Sequence, residues 1–236
     1  MTKGEIADIF KSTGARFISG PESIAKKIQN IRGLLFDWDG VFNSGTKSAA
    51  SPSTFCEIDS MGINLLRFSI WLETRQIPFA GIITGQINDT AFELAKREHF
   101  NAVYFNFKSK KEALEHIKDE FNIRASQMVF VFDDVLDVSA AKHAGLSMLV
   151  NRLSSPLFTK YVIDSDLADY ITGNTAENNA IREICELLMG LKGSYNDVLD
   201  KRISFSEEYR EYLQQRSQIS GTFYHRSDKK IIETII

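Results

Sequence analysis

"LLFDWDGVFNSG", residues 34–45, is where the chain declares its organisation. An apolar run, Leu34-Leu35-Phe36, stops abruptly at Asp37 and Asp39, which Gly40 follows. Side chains at i and i+2 of an extended segment point to the same side. Asp37 and Asp39 can therefore face one site while Trp38 turns away. Two like charges so close repel unless something positive sits among them. The plainer alternative is a turn, because Asp-Gly commonly closes a strand. The stretch alone leaves both readings open.

Further apolar runs follow at 78–84, 102–105, 128–133 and 146–150, with a weaker one at 169–172. Helical patterns lie between them, at about 60–75, 87–99, 110–121, 135–144 and 175–189. Strands without polar alternation, separated by helices, predict a parallel sheet covered on both faces, an α/β fold. Several helix ends are legible. Pro21 suits the first turn of a helix. Ser109 and Glu112 match a capping box that starts a helix at Lys110. Gly145 stands where a left-handed cap would end the 135–144 helix. Thr175 can cap the last core helix, whose stripe Ile181, Ile184, Cys185 and Leu188 faces inward. Residues 1–30 read as a helical extension, 31–191 as the core and 192–236 as a polar tail with one helix at 205–217.

Composition narrows the classes. Of 236 residues, 43% are hydrophobic and 25% charged, the balance of a globular protein and not of a disordered one. A net charge of −3 offers no basic field for nucleic acid, and no apolar run approaches a membrane span. The opening residues lack the apolar stretch of a secretory signal, and Cys56 and Cys185 form no C-x-x-C pair. The expectation is a reduced, cytoplasmic protein. His99, His116, His143 and His225 show no zinc-ligand spacing.

In an open parallel sheet, ligands bind beyond the carboxyl ends of the strands. Those ends hold Asp37 and Asp39, then Thr84-Gly85, then Asp133, Asp134 and Asp137. Lys110 opens the helix after the third run. A divalent ion such as Mg²⁺ suits these carboxylates, since it takes oxygen ligands from one or two of them plus phosphate and water. With a lysine and a hydroxyl, the set is built for a phosphoryl group. One aspartate can be a nucleophile and the other an acid and base. Each residue also has a local explanation. Thr84-Gly85 can be a turn, Lys110 a solvated helix start, and Asp134 and Asp137 acids suited to a helix dipole. The conjunction at one sheet edge favours chemistry.

The motifs "DWDG", "IITG", "KSKKEA" and "FDDVLD" resemble the four signatures of the haloacid dehalogenase superfamily of phosphohydrolases. Residues 55–66, 81–86, 132–150 and 168–191 resemble, more narrowly, the 3-deoxy-D-manno-octulosonate 8-phosphate phosphatase family. The resemblance implies a Rossmann-like three-layer sandwich with Asp37 as nucleophile and Asp39 as general acid/base. It implies Thr84 and Lys110 as the phosphoryl-binding pair, joined in substrate binding by Gly85, Gln86 and Asp59. It implies Mg²⁺ held by Asp37, the Asp39 backbone carbonyl and Asp133, with Asp137 and Asp134 in support. Only 45 positions separate Asp39 from Thr84 and 26 separate Thr84 from Lys110, which leaves no room for a cap domain. The family closes its site instead by a homotetramer, with a β-hairpin flap, here about 41–57, and neighbours' tails as walls. The implied substrate is a small phosphorylated sugar acid. Alternatives are another sugar phosphate, a macromolecular substrate, or a non-catalytic interaction protein. Departures bear on this choice. Gln86 replaces an arginine, Phe132 a glycine, Asn43 a threonine, "IDS" (58–60) an R-D-G, and "NTAEN" (174–178) a glycine-rich stretch. Losing an arginine beside the site removes an anion clamp.

Overall fold

The structure, a computed structural model, describes residues 1–47, 53–227 and 230–236. In chain order its elements are α1 (Lys3–Ser12), β1 (Arg16–Phe17), α2 (Pro21–Ile28), β2 (Gly33–Phe36), α3 (Glu57–Thr74), β3 (Phe79–Ile83), α4 (Asp89–Arg97), β4 (Ala102–Phe105), α5 (Lys110–Phe121), β5 (Met128–Phe132), α6 (Val138–Ala141), β6 (Leu146–Leu149), α7 (Pro156–Asp164), β7 (Tyr170–Ile171), α8 (Ala180–Lys192), α9 (Tyr195–Ile203), α10 (Glu207–Arg216), β8 (Thr222–Ser227) and β9 (Lys230–Thr234). One sheet carries the strands in the order β1-β7-β6-β5-β2-β3-β4-β8-β9. Its seven inner strands run parallel, and the short edges β1 and β9 pair antiparallel.

Strand side chains alternate between two apolar layers, as the period of two requires. Leu34 and Phe36 enter one layer with Val129 and Val131, against α2, α3, α4, α8 and the tail helices. Leu35, Phe130 and Phe132 enter the other, against α5 and α7. The result is the three-layer α/β arrangement with a mostly parallel central sheet. Phe132 packs parallel to Phe130 with ring centroids 5.8 Å apart, so this departure fills the core.

Some local expectations change. The Ser109–Glu112 box does not form. Ser109 makes no side-chain cap, and the Glu112 carboxylate pairs instead with Arg226 of β8. Gly145 is not left-handed. A β-carbon there would strike the Ser126 carbonyl, so close packing explains this glycine. Thr175 precedes a single turn at Ala176–Asn178, and Asn179, in the left-handed region, starts α8. The centre of the expected β-hairpin flap, 48–52, lies outside the described residues. Its described flanks form turns and coil, with one isolated bridge between Asp39 and Asn43.

The described residues of segment 192–236 hold two helices, α9 and α10, where one was expected. They then add β8 beside β4, with Val103 opposite Phe223 and Tyr104 opposite Tyr224. β4 is apolar on both faces and buried, so a partner on its free side completes its backbone hydrogen bonds.

Candidate active site

The strand order reverses about β2, since the chain moves from β2 outward to β3 and β4, then returns to β5 on the other side. Such a switch point opens a crevice beyond the strands' carboxyl ends. Asp37 continues β2, and its N–H donates to the Val131 carbonyl at 2.9 Å. Thr84 continues β3, with its N–H on the Tyr104 carbonyl at 2.7 Å. Asp133 continues β5. A cavity of about 670 Å³ sits there, lined by Asp37, Asp39, Thr84, Gly85, Gln86, Lys110, Asp133, Asp134 and Asp137. Every predicted site residue except Asp59 thus reaches one cavity.

Its floor is a buried charge cluster. Carboxylate oxygens of Asp37, Asp133 and Asp137 lie within 4.8 Å of one another. Lys110, 5% exposed, bridges Asp37 and Asp137. Burial pushes the Asp37 carboxyl up to about 8, with Lys110 opposing and Asp137 and Asp133 adding to the rise. Burial also pushes Asp133 up to about 6, against the pull of Arg152. Burial works against the charged form of Lys110, but Asp37 and Asp137 outweigh it and raise its pKa. Three close, buried acids that resist ionising together form an oxygen-rich set suited to a hard divalent cation. Asp134 stands apart from the three. Its carboxylate accepts from the Val135 N–H at 2.7 Å and caps the following turn.

Asp39 takes the upper wall. Its Oδ2 pairs with Lys47 Nζ at 2.7 Å, while its Oδ1 is buried without a partner among the described residues. Trp38, fully buried, points the other way, as the i/i+2 register requires. Its indole N–H donates to Ser53 Oγ at 2.9 Å. Asn88 then donates to Thr84 Oγ1 at 2.9 Å, which leaves that hydroxyl free to donate into the cavity.

Asp59 sits elsewhere. It lies on the first turn of α3, fully buried, and accepts the Arg182 N–H at 2.8 Å and the Asn179 amide at 3.3 Å. It faces the amino end of α8, where the helix dipole and these hydrogen bonds favour an acid, but burial outweighs them. Burial pushes its carboxyl up to about 6.

Three charged residues of the cavity were given no role by the motifs: Lys47, Lys108 and Arg152. Arg152 follows β6 on the same sheet edge as the other strand ends, and that position was its signal. Lys108 lies two residues before Lys110. Lys47 had no signal, because only the turn at Asp39–Asn43 folds it back onto Asp39 and Gln86, whose Oε1 accepts from Lys47 at 2.6 Å.

No family model matches the chain. Among curated proteins, the 3-deoxy-D-manno-octulosonate 8-phosphate phosphatase KdsC of Escherichia coli (strain K12) is 26% identical over 190 residues, spanning 78% of this chain and 94% of its own. A structure of 3-deoxy-D-manno-octulosonate 8-phosphate phosphatase from Moraxella catarrhalis, in complex with magnesium, phosphate and KDO, superposes with a TM-score of 0.63 at 23% identity. It covers 75% of this chain and 97% of that one. A HAD superfamily (subfamily III A) protein from Legionella pneumophila also gives 0.63, at 20% identity, covering 77% and 94%. The two structural likenesses show a shared fold.

Proposed function

We propose that this chain, a relative of the 3-deoxy-D-manno-octulosonate 8-phosphate phosphatases with the fold of the haloacid dehalogenase superfamily, is a magnesium-dependent phosphomonoesterase acting on a small phosphorylated sugar acid. The observation that carries the reading is the single cavity in which Asp37, Asp39, Thr84, Lys110, Asp133 and Asp137 meet at the switch point of the sheet.

In this reading an Asp37 oxygen attacks phosphorus as the bond to the leaving sugar oxygen breaks. Asp39 gives that oxygen a proton. The product half is an aspartyl phosphate. Asp39 then removes a proton from water, which attacks phosphorus, releases inorganic phosphate and restores the Asp37 carboxylate. Lys110 and Thr84 hold the phosphoryl oxygens and stabilise the charge that builds on them. Asp37, Asp133 and Asp137 would hold a divalent ion, which would supply further positive charge there. The acidic sugar is supported by Lys47. Gln86 carries no charge of its own, and Lys47 brings a cation to within 2.6 Å of it, beside Asp39. Gly85 and Gln86 line the wall that a sugar would meet.

Hydrolysis of p-nitrophenyl phosphate tests the reaction. Turnover should require Mg²⁺, stop in EDTA, and fall on the order of 10⁴-fold or more in Asp37→Asn. Activity equal in wild type and Asp37→Asn would overturn the reading. A panel of sugar phosphates with and without a carboxylate tests the substrate class. A homotetramer in the cytoplasm completes the proposal, and gel filtration tests the assembly. No helix of the described residues is long and apolar enough to cross a membrane, and both cysteines are free.

A further inference from the structure

Asp133 is 3% exposed and holds an ion pair with Arg152, the guanidinium Nη2 on Oδ2. Each acid of the buried cluster is thereby matched to a protein cation, Lys110 for Asp37 and Asp137, Arg152 for Asp133. The two cations differ in kind. Lys110 is buried and tied to two acids, a fixed part of the floor. Arg152 sits on the loop after β6 with its side chain 38% exposed, and among the described residues a single acid holds it. It also lines a neighbouring cavity of about 310 Å³, among Gly40, Asn43, Ser154 and Thr175. It therefore has open space beside it, with Glu177 in the lining, to move into.

We propose that Arg152 is a resident counter-cation of the acidic cluster, competing with a divalent ion for Asp133 and so setting the affinity of the site for that ion. The inference rests on the reading of Asp37, Asp133 and Asp137 as the ion-binding set. An ion drawn to all three acids meets a guanidinium already on one of them, and the two positive charges repel at short range. Removing the guanidinium leaves Asp133 buried with no cation, which favours a divalent ion and weakens the ion-free protein. The opposite role has the opposite sign. An outer partner that merely oriented Asp133 would strengthen ion binding, and its loss would weaken it.

Calorimetric titration of the full-length protein with MgCl₂ separates the two, together with thermal melting in EDTA. Arg152→Ala and Arg152→Gln should bind Mg²⁺ on the order of tenfold more tightly than wild type, because the repulsion between guanidinium and ion is gone. Both should melt lower than wild type in EDTA and gain more from added Mg²⁺. Arg152→Lys keeps the charge and should stay near wild type. Unchanged or weaker Mg²⁺ binding in the alanine and glutamine variants overturns the proposal, as does a lysine variant that binds as tightly as alanine. Wild-type binding that these variants leave unmoved fails this inference alone. A wild type that binds no Mg²⁺ fails the ion-binding reading as well.

Discussion

At Gly40 the backbone turns with φ +87°, a conformation that L side chains rarely adopt. A β-carbon there would also fall well inside contact distance of the Asp133 carboxylate and the Arg152 guanidinium. The residue thus serves the turn and the charge cluster together. Gly40→Ala should lower stability by about 1–3 kcal/mol from backbone strain. It should also displace Asp133, so chemical denaturation and Mg²⁺ titration should both register it. Asp59 offers a pH signature at the same scale. Its carboxyl lies at about 6 in the folded chain, against an ordinary 3.8. The folded state therefore holds an extra proton between those values, and this residue's contribution to stability falls as pH rises through that window. Asp59→Asn should flatten the slope between pH 4 and 6 in urea denaturation series. A slope unchanged by the substitution would remove Asp59 as its cause.

α3 shows how an element carries more than its pattern reveals. Its apolar spacing predicts a core helix, yet it buries Asn64 and Arg67 as well. Arg67 donates to the Glu98 and His99 carbonyls at 2.7 and 3.0 Å, closing the end of α4. Asn64 receives the tail. Tyr212 Oη donates toward its carbonyl and Oδ1 at 3.2 and 3.0 Å, and Asn64 Nδ2 donates to Tyr209 Oη at 2.8 Å. Both tyrosines are buried against Phe68. Tyr212→Phe should cost about 1 kcal/mol for the lost hydrogen bond, and Tyr212→Ala about 3–5 kcal/mol for the emptied volume, measured by thermal melting. Nothing local in residues 205–217 marks those tyrosines as core. Their burial depends on Asn64, roughly 150 positions earlier, and no periodicity reads across that gap.

Across the whole molecule, the sheet is longer than the alternating core of the chain. β8 covers β4, and Tyr224 stacks on Tyr104 with centroids 5.0 Å apart. A chain truncated before Gly221 should expose β4 as a bare apolar edge and aggregate on heating, seen as light scattering below the wild-type melting temperature. Retained solubility and melting would show that β8 is dispensable. The inner strands and their flanking helices were legible because each is a local pattern, an apolar run or a helical stripe. The cluster of Asp37, Thr84, Lys110, Asp133 and Asp137 was legible for a related reason: a parallel sheet carries every strand end to one edge. Three-dimensional folding alone decided the rest. It turned Asp59 to the amino end of α8, folded Lys47 back onto Asp39, set Arg152 on Asp133, and made β8 and β9 of the tail part of the sheet. These outcomes depend on which distant segments meet. Register along one strand specifies where a side chain points, and packing between segments specifies what it finds there.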